Sequence, residues 1–208
     1  MYVPPKFALS EADTEAALAR AGFAQLVTCA AGEMLVTALP LLYDPARHAL
    51  VGHVARANPH WKAAGAPTVA IFAGPHAYIS PSFYATKAET GKVVPTWDYE
   101  TLTVTGQLVV HDDTEWLRDV VTRLTDHHER GRPHPWQVSD APPAYIAAQL
   151  NGIVGIELAI TAVQGAAKMS QNRPERDRDG VIAGLRESPE PADHAVAQRV
   201  SQWNGHQA

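Results

Sequence analysis

The sequence predicts a mainly β domain in which antiparallel strands form a small barrel and helices flank the strands. Short apolar segments in the first half of the chain are separated by brief turn sequences, and strands joined in this way pair antiparallel. Residues 101–110 alternate threonine with mostly apolar side chains, which is typical of a half-buried strand. Five or six such strands within about one hundred residues would leave exposed edges, which a barrel removes.

The first predicted element is a helix over residues 11–21, which are rich in Ala and lie between an N-cap candidate, Ser10, and Gly22. Asn58 and Pro59 predict the start of a second helix. Further strands are predicted at residues 23–28, 34–42, 49–54, 68–72, 76–79, 101–110 and 152–160. Further helices are predicted at residues 114–128 and 142–150, and a loop at residues 84–94.

The chain is expected to form one domain over residues 1–173, followed by a polar helical tail over residues 174–208. Its net charge is −5, its Lys and Arg residues are scattered, and the Arg-rich segment 173–179 alternates in sign. Nucleic-acid binders need a basic surface to neutralise phosphates. Direct DNA binding is therefore not supported.

Composition also predicts where the protein resides. No apolar segment approaches the roughly 20 residues that a membrane helix needs, so no membrane association is expected. The N-terminus lacks the basic region and apolar core of a signal peptide. The single cysteine, Cys29, is predicted to be a buried structural thiol in a reducing compartment. We therefore expect a cytoplasmic protein.

Three clusters of His, aromatic, hydroxyl and Pro residues lie between residues 52 and 99, a composition that suits a site for a planar, polar-edged cofactor. In the first cluster, His53 lies near a strand end and is followed by Arg56 and the helix start at Asn58. A helix N-terminus beside a basic side chain would hold a phosphate. In the structural alternative, Asn58 and Pro59 merely start a helix and Trp61 packs in the core.

In the second cluster, alternation places His76, Tyr78 and Ser80 on one strand face. A polar face of this kind indicates a bound ligand if it points into a barrel, whereas a solvent-facing edge strand is the alternative. In the third cluster, Thr96, Trp97 and Tyr99 either wall the same pocket or pack in a core or an interface. Metal-binding histidine pairs, phosphate loops and nucleophile elbows are absent from the sequence, so no metal site is predicted.

Six segments follow one another in a distinctive order: Met1-Tyr2-Val3-Pro4, Gly52-His53-Val54-Ala55-Arg56-Ala57-Asn58-Pro59, Gly74-Pro75-His76-Ala77-Tyr78-Ile79-Ser80, Val94-Pro95-Thr96-Trp97, Asn151-Gly152-Ile153-Val154-Gly155 and Ser170-Gln171-Asn172-Arg173. This order resembles the PaiB family, the FMN-binding negative transcriptional regulators, from the first residue to about Arg178. The chain departs from the family at Phe83, where Trp is common, and at Asp98, where Asn is common.

The resemblance implies a split β-barrel of the FMN-binding type, related to pyridoxamine-phosphate oxidases, with FMN bound at a homodimer interface. The resemblance also implies negative transcriptional regulation, and because the sequence has no DNA-reading element, we expect that regulation to be indirect, through a partner or a small effector. The implied cofactor-binding residues are His53, Arg56, Asn58, His60, Trp61, Lys62, His76, Tyr78, Ser80, Ser82, Thr96, Trp97, Ser170, Gln171 and Asn172.

Two other functions remain open at this point. The first is a flavin-dependent oxidoreductase, in which FMN would carry out the redox chemistry and the protein would position a small substrate. The second is a haem-binding barrel, for which His53, His60 and His76 are candidate axial ligands.

Overall fold

The computed structural model of the protein describes residues 1–205. Its helices are α1 (Glu11–Ala19), α2 (Ala85–Thr90), α3 (Thr114–Glu129), α4 (Pro143–Asn151), α5 (Glu175–Arg186) and α6 (Pro191–Trp203). Its strands are β1 (Phe23–Ala30), β2 (Glu33–Pro40), β3 (Leu42–Asp44), β4 (Ala49–Ala55), β5 (Pro67–Ile79), β6 (Thr96–His111) and β7 (Ile153–Lys168). No helix within residues 1–205 is long and apolar enough to cross a membrane.

The strands are hydrogen-bonded in the order β2-β1-β5-β6-β7-β4-β3. Strand β1 pairs antiparallel with β2 and β5, and β4 pairs antiparallel with β3 and β7. The prediction of a mainly β protein with antiparallel strands and flanking helices is confirmed.

The residues group into two compact units, which we call unit 1 and unit 2. Unit 1 contains residues 1–12, residues 73–102 and the chain from residue 164 onward. Unit 2 contains residues 13–72 and 103–163. Strands β5, β6 and β7 contribute residues to both units.

In unit 2, α3 packs on β4. The helix begins where the Asp113 carboxylate accepts a hydrogen bond from the backbone N–H of Trp116 at 2.8 Å, an N-cap contact. Its buried Val120 and Leu124 form a cluster with Val51 of β4. Because burying an aliphatic side chain of this size stabilises the fold by about 1.5–3 kcal/mol, this contact fixes α3 against the strand.

In unit 1, α5 and α6 pack around the end of β5. Val181 and Leu185 of α5 and Val196 and Val200 of α6 are buried in one cluster with Ile79. The tail predicted at residues 174–208 therefore forms helices with one buried apolar side, and its last three residues lie outside the described range. The predicted domain boundary at residue 173 stays a prediction.

Two element predictions were wrong because distant contacts override local sequence signals. The predicted strands 68–72 and 76–79 are one strand, β5. Gly74 does not form a turn; it lets the backbone of β5 lie close to Glu100, because a Cβ at residue 74 would be only 2.8 Å from the Cβ of Glu100. The predicted loop 84–94 contains α2. Its first turn is held by Asp177, whose carboxylate accepts a hydrogen bond from Thr86 N at 2.9 Å.

Two local predictions in unit 2 also need correction. Cys29 is exposed rather than buried, because alternation along β1 places Leu26 and Thr28 on the buried face. Asn58 does cap a helix, but only a short 3-10 helix, Pro59–Ala63, follows it.

Asp44 joins the β3–β4 turn to α3 through a buried carboxylate. Arg47 and Arg123 each donate to Asp44 Oδ2 at 2.8 Å, and the backbone N–H groups of Ala46 and Arg47 donate to Oδ1. Burial would raise the pKa of Asp44, but the hydrogen bonds from Arg123 and Arg47 outweigh it and lower the pKa to about 2.

We predict that Asp44→Asn lowers the free energy of unfolding by about 1.5–3 kcal/mol at neutral pH, the usual cost of losing charged hydrogen bonds. The folded pKa lies below the unfolded value, so this stabilisation is complete above about pH 4 and is lost as the pH falls towards 2. Urea unfolding at several pH values measures both effects. Asp119→Asn is the control, because Asp119 contacts Arg123 from an exposed position; equal losses in the two variants would contradict the prediction.

Candidate functional site

The predicted cofactor-binding residues fall into two groups, one in each unit. The unit 2 group comprises His53, Arg56, Asn58, His60, Trp61 and Lys62. The unit 1 group comprises His76, Tyr78, Ser80, Ser82, Thr96, Trp97, Ser170, Gln171 and Asn172.

His60 lies in a buried network of hydroxyl groups in unit 2. Its Nε2 is 2.7 Å from Thr28 Oγ1 and its Nδ1 is 2.8 Å from Thr37 Oγ1. Thr28 Oγ1 in turn lies 2.7 Å from Thr68 Oγ1. Burial lowers the pKa of His60, which favours the neutral imidazole. Both ring nitrogens are therefore engaged in holding the short 3-10 helix to β1 and β2.

Asn58 completes the same arrangement. Its side-chain oxygen accepts a hydrogen bond from His60 N at 3.0 Å, and its Nδ2 donates to Thr37 Oγ1 at 3.1 Å. The Asn58 amide thus caps the short 3-10 helix and connects it to β2.

The Arg56 guanidinium is held by protein groups. It donates to both carboxylate oxygens of Asp112, at 3.0 and 2.5 Å, and to the carbonyl oxygens of Asn151 and Ile153, at 2.9 and 3.0 Å. The hydrogen bonds with Asp112 raise the pKa of Arg56 and lower that of Asp112. Arg56 therefore clamps the end of β4 to the end of β6 and the start of β7.

Trp61 and Lys62 lie beside this clamp. Trp61 Nε1 donates to the Arg56 carbonyl oxygen at 3.0 Å, and the Lys62 ammonium lies 5.8 Å from the centroid of the Trp61 ring. The Lys62 side chain is exposed, so a cation remains available to an anion on this surface.

His53 has a buried Nδ1 atom without a hydrogen-bond partner, and burial lowers the pKa of its imidazole. It lies opposite Gly155 of β7, and the Trp116 ring occupies the space that a Cβ at Gly155 would need. His111 stacks on Trp116 at 4.1 Å and pairs with Glu157 at 3.0 Å. The sequence analysis did not single out His111 or Glu157, because residue 111 lies just past the predicted strand 101–110 and the two residues are 46 positions apart along the chain.

Three aromatic side chains of unit 1, His76, Tyr78 and Trp97, form an exposed cluster that we call the aromatic platform. Trp97 is 54% exposed and Tyr78 is 49% exposed. The Trp97 ring centroid lies 6.2 Å from each of the other two rings, edge-on to Tyr78 and tilted to His76. The predicted alternation is confirmed, since His76 and Tyr78 point outward while Ala77 and Ile79 are buried.

Lys168, which the sequence did not single out, lies beneath the platform residue Trp97. Its ammonium donates to Thr96 Oγ1 at 2.6 Å, to the Trp97 carbonyl oxygen, and to Asp98 Oδ1 at 3.4 Å. Ser170 donates to the other Asp98 oxygen at 2.6 Å. Burial raises the pKa of Asp98, and the hydrogen bond from Ser170 and the charge of Lys168 oppose that rise.

The remaining predicted residues of unit 1 shape its turns. Gln171 bonds to the backbone of Met169 and Ala167, at 2.6 Å each, and Asn172 is exposed. Ser80 Oγ accepts from Ser82 N at 3.2 Å. The structure thus brings Thr96, Trp97, His76, Tyr78 and Ser170 together at the start of β6, while cofactor contacts by all the predicted residues stay a prediction.

Comparison with known families identifies the class of protein. The family model "Putative FMN-binding domain" matches residues 1–162. The chain is 30% identical over 203 residues to the protease synthase and sporulation protein PAI 2 of Bacillus subtilis, covering 95% of each chain. It is also 35% identical over 179 residues to an uncharacterized protein of Emericella nidulans, covering 73% of this chain and 71% of the other. The chain belongs to this FMN-binding family, which confirms the predicted PaiB resemblance and the predicted cofactor, FMN.

Solved structures support the same fold. The FAD and haem binding protein of Mycobacterium smegmatis is similar with a TM-score of 0.57 at 17% identity, over 84% of this chain and 78% of that one. A flavocytochrome from Azotobacter vinelandii is similar with a TM-score of 0.56 at 13% identity, over 80% and 72% of the chains. The predicted split β-barrel fold is confirmed.

We predict that Arg56→Ala and Asp112→Asn both lower Tm. The decrease is larger for Arg56→Ala, because this variant also loses the hydrogen bonds to two carbonyl oxygens. If the clamp is the role of Arg56, FMN affinity falls by less than about tenfold in both variants. Thermal unfolding and FMN titration measure the two quantities, with Arg118→Ala, an exposed arginine of α3, as control. A loss of affinity above about tenfold in Arg56→Ala alone would instead place Arg56 on the phosphate.

Proposed function

We propose that the protein binds FMN on the aromatic platform of unit 1, works as a homodimer, and regulates gene expression indirectly in the cytoplasm. The observation that carries the proposal is the platform itself: three aromatic side chains exposed together on neighbouring strands of a protein from an FMN-binding family. Exposed aromatic clusters of this kind mark binding surfaces.

The residues of unit 1 fit a flavin. The isoalloxazine ring is planar and apolar on its faces, and rings of this type stack on or abut Trp, Tyr and His side chains. Trp97 and Tyr78 present such surfaces to solvent. Bound FMN would supply one- or two-electron chemistry, while His76, Tyr78 and Trp97 would hold and orient the ring.

An apolar sheet face in unit 2 supports the homodimer. Met34 and Val36 of β2 are 63% and 62% exposed, and their partners on β1 are Cys29 and Val27. Paired residues project from the same side of a sheet, so these four side chains form one apolar surface. A surface of this kind is usually covered by a partner, and a second copy of the chain is the occupant that we propose.

Regulation without direct DNA contact agrees with the charge of the chain. Its net charge is −5 and its basic residues are scattered, whereas DNA binding depends on a concentrated basic surface. The Bacillus relative is named for protease synthesis and sporulation, which supports a regulatory role. We infer that the effect on transcription passes through a partner or a small effector.

The first test is the absorbance spectrum of the purified protein before and after addition of FMN. We expect a two-banded flavin spectrum that stays with the protein through gel filtration. A colourless protein that ignores added FMN would contradict the proposal. A Soret band after addition of haemin, without flavin binding, would favour the haem alternative, for which the neutral imidazole of His53 is a candidate ligand.

We predict that Trp97→Ala raises the Kd for FMN about three- to tenfold, the value expected for loss of one aromatic contact. FMN fluorescence titration measures the change. Trp136→Ala is the matched control, since Trp136 is an exposed tryptophan of the α3–α4 connection. Equal FMN affinities of the two variants would show that Trp97 does not contribute to the FMN site.

We predict that Met34→Glu/Val36→Glu converts the dimer to a monomer, because four buried carboxylates per dimer would face an apolar partner. Sedimentation velocity measures the oligomeric state. Val94→Glu, at an exposed apolar position of unit 1, is the control. A wild-type protein that sediments as a monomer would refute the homodimer.

A further inference from the structure

Lys168 of unit 1 is enclosed by three consecutive residues at the start of β6. It is the last residue of β7, and its side chain is 18% exposed. The acceptors around its ammonium are Thr96 Oγ1, the Trp97 carbonyl oxygen and Asp98 Oδ1. An ammonium has three N–H donors, so this set accounts for all of them.

The buried carboxylate of Asp98 fixes Lys168 in place. Asp98 has no exposed surface, and burying a carboxylate is costly unless it is paired and hydrogen-bonded. Lys168 supplies the charge for Oδ1, and Ser170 supplies a hydrogen bond to Oδ2. Ser170 adopts φ 55°, in the left-handed region that non-glycine residues seldom occupy. The hydrogen bond from Ser170 to Asp98 is therefore made from a strained backbone conformation.

The contacts of Lys168 also fix the position of Trp97. Trp97 is the second residue of β6, and the first residues of a strand are prone to fray. Lys168 binds its carbonyl oxygen and the side chains of both neighbours, which fixes the backbone from which the indole projects. The indole is thereby held against Tyr78 and His76 although half of its surface is in solvent.

We propose that Lys168 is a positioning residue for the ligand: by binding residues 96–98 it preorganises the aromatic platform for a planar aromatic ligand. This inference rests on the proposed function, in which that ligand is the flavin ring of FMN. Lys168 acts through Trp97 and does not itself touch the cofactor. A side chain fixed before binding lowers the ordering cost that binding would otherwise carry.

A double-mutant cycle on FMN affinity tests the dependence on Trp97. We expect Lys168→Met to raise the Kd about three- to tenfold, as Trp97→Ala does. Because both substitutions would remove the same contact, the Kd of the double variant should equal that of Trp97→Ala within about twofold. A double variant whose increase in Kd equals the product of the two single increases would overturn the proposal, since Lys168 would then affect FMN binding independently of Trp97.

A cofactor-free measurement separates this proposal from the proposed function. Acrylamide quenching of Trp97 emission, obtained as the difference between each protein and its Trp97→Phe counterpart, reports how accessible the indole is to the quencher, and an indole released from Tyr78 and His76 is more accessible. We expect stronger quenching in Lys168→Met. Unchanged quenching would overturn the proposal, whereas a wild-type protein that fails to bind FMN would refute the proposed function and leave the quenching result to decide on Lys168.

A second variant guards against misfolding. Lys168→Met leaves Asp98 buried without its cation, which is more damaging than removing both charges. Asp98→Asn/Lys168→Met keeps the shape of residue 98 and its contact with Ser170 while removing the charge pair. We expect this variant to fold and to show the same stronger quenching of Trp97; quenching at the wild-type level would overturn the proposal.

Discussion

The burial of Asp98 is the constraint on which the proposed site depends. Asp98 is the third residue of β6 and has no exposed surface, and a carboxylate buried in this way requires a cation and a hydrogen-bond donor within reach. Lys168 and Ser170 meet that requirement from the end of β7, and the Ser170 backbone adopts a strained conformation to do so. The start of β6 is thereby fixed, and with it the aromatic side chain that unit 1 exposes to solvent.

In unit 2, a buried polar side chain, His60, is hydrogen-bonded by neutral hydroxyl groups. Thr37 and Thr28 contact the two ring nitrogens of His60, and Thr68 bonds to Thr28, so a polar side chain is buried without any charge. A hydroxyl group can both donate and accept, so each ring nitrogen has a suitable partner. The motif that suggested a phosphate site from sequence thus also builds a rigid corner between β1, β2 and the short 3-10 helix.

The sequence was informative wherever a local pattern decides the structure. Alternation predicted the outward-facing side of His76 and Tyr78, and Asn58 predicted a helix start that its side chain does cap. The sequence pattern gave wrong predictions where a residue far along the chain determines the local structure. Asp177 stabilises the first turn of α2, and the close approach of Glu100 requires a glycine at residue 74 within β5. Lys168 lies 72 positions from Thr96 along the chain, so no spacing rule could associate them. The sequence suggested Arg56 as an anion ligand because its partner, Asp112, is 56 positions away along the chain.

Hydrogen–deuterium exchange with and without FMN tests whether the aromatic platform of unit 1 receives the cofactor. We expect FMN to slow exchange in peptides covering residues 74–82 and 94–99, where the platform and its supporting strand ends lie. Protection confined to residues 53–62 of unit 2, with the platform peptides unchanged, would contradict it. That result would return the cofactor to the cluster around Arg56 and Lys62.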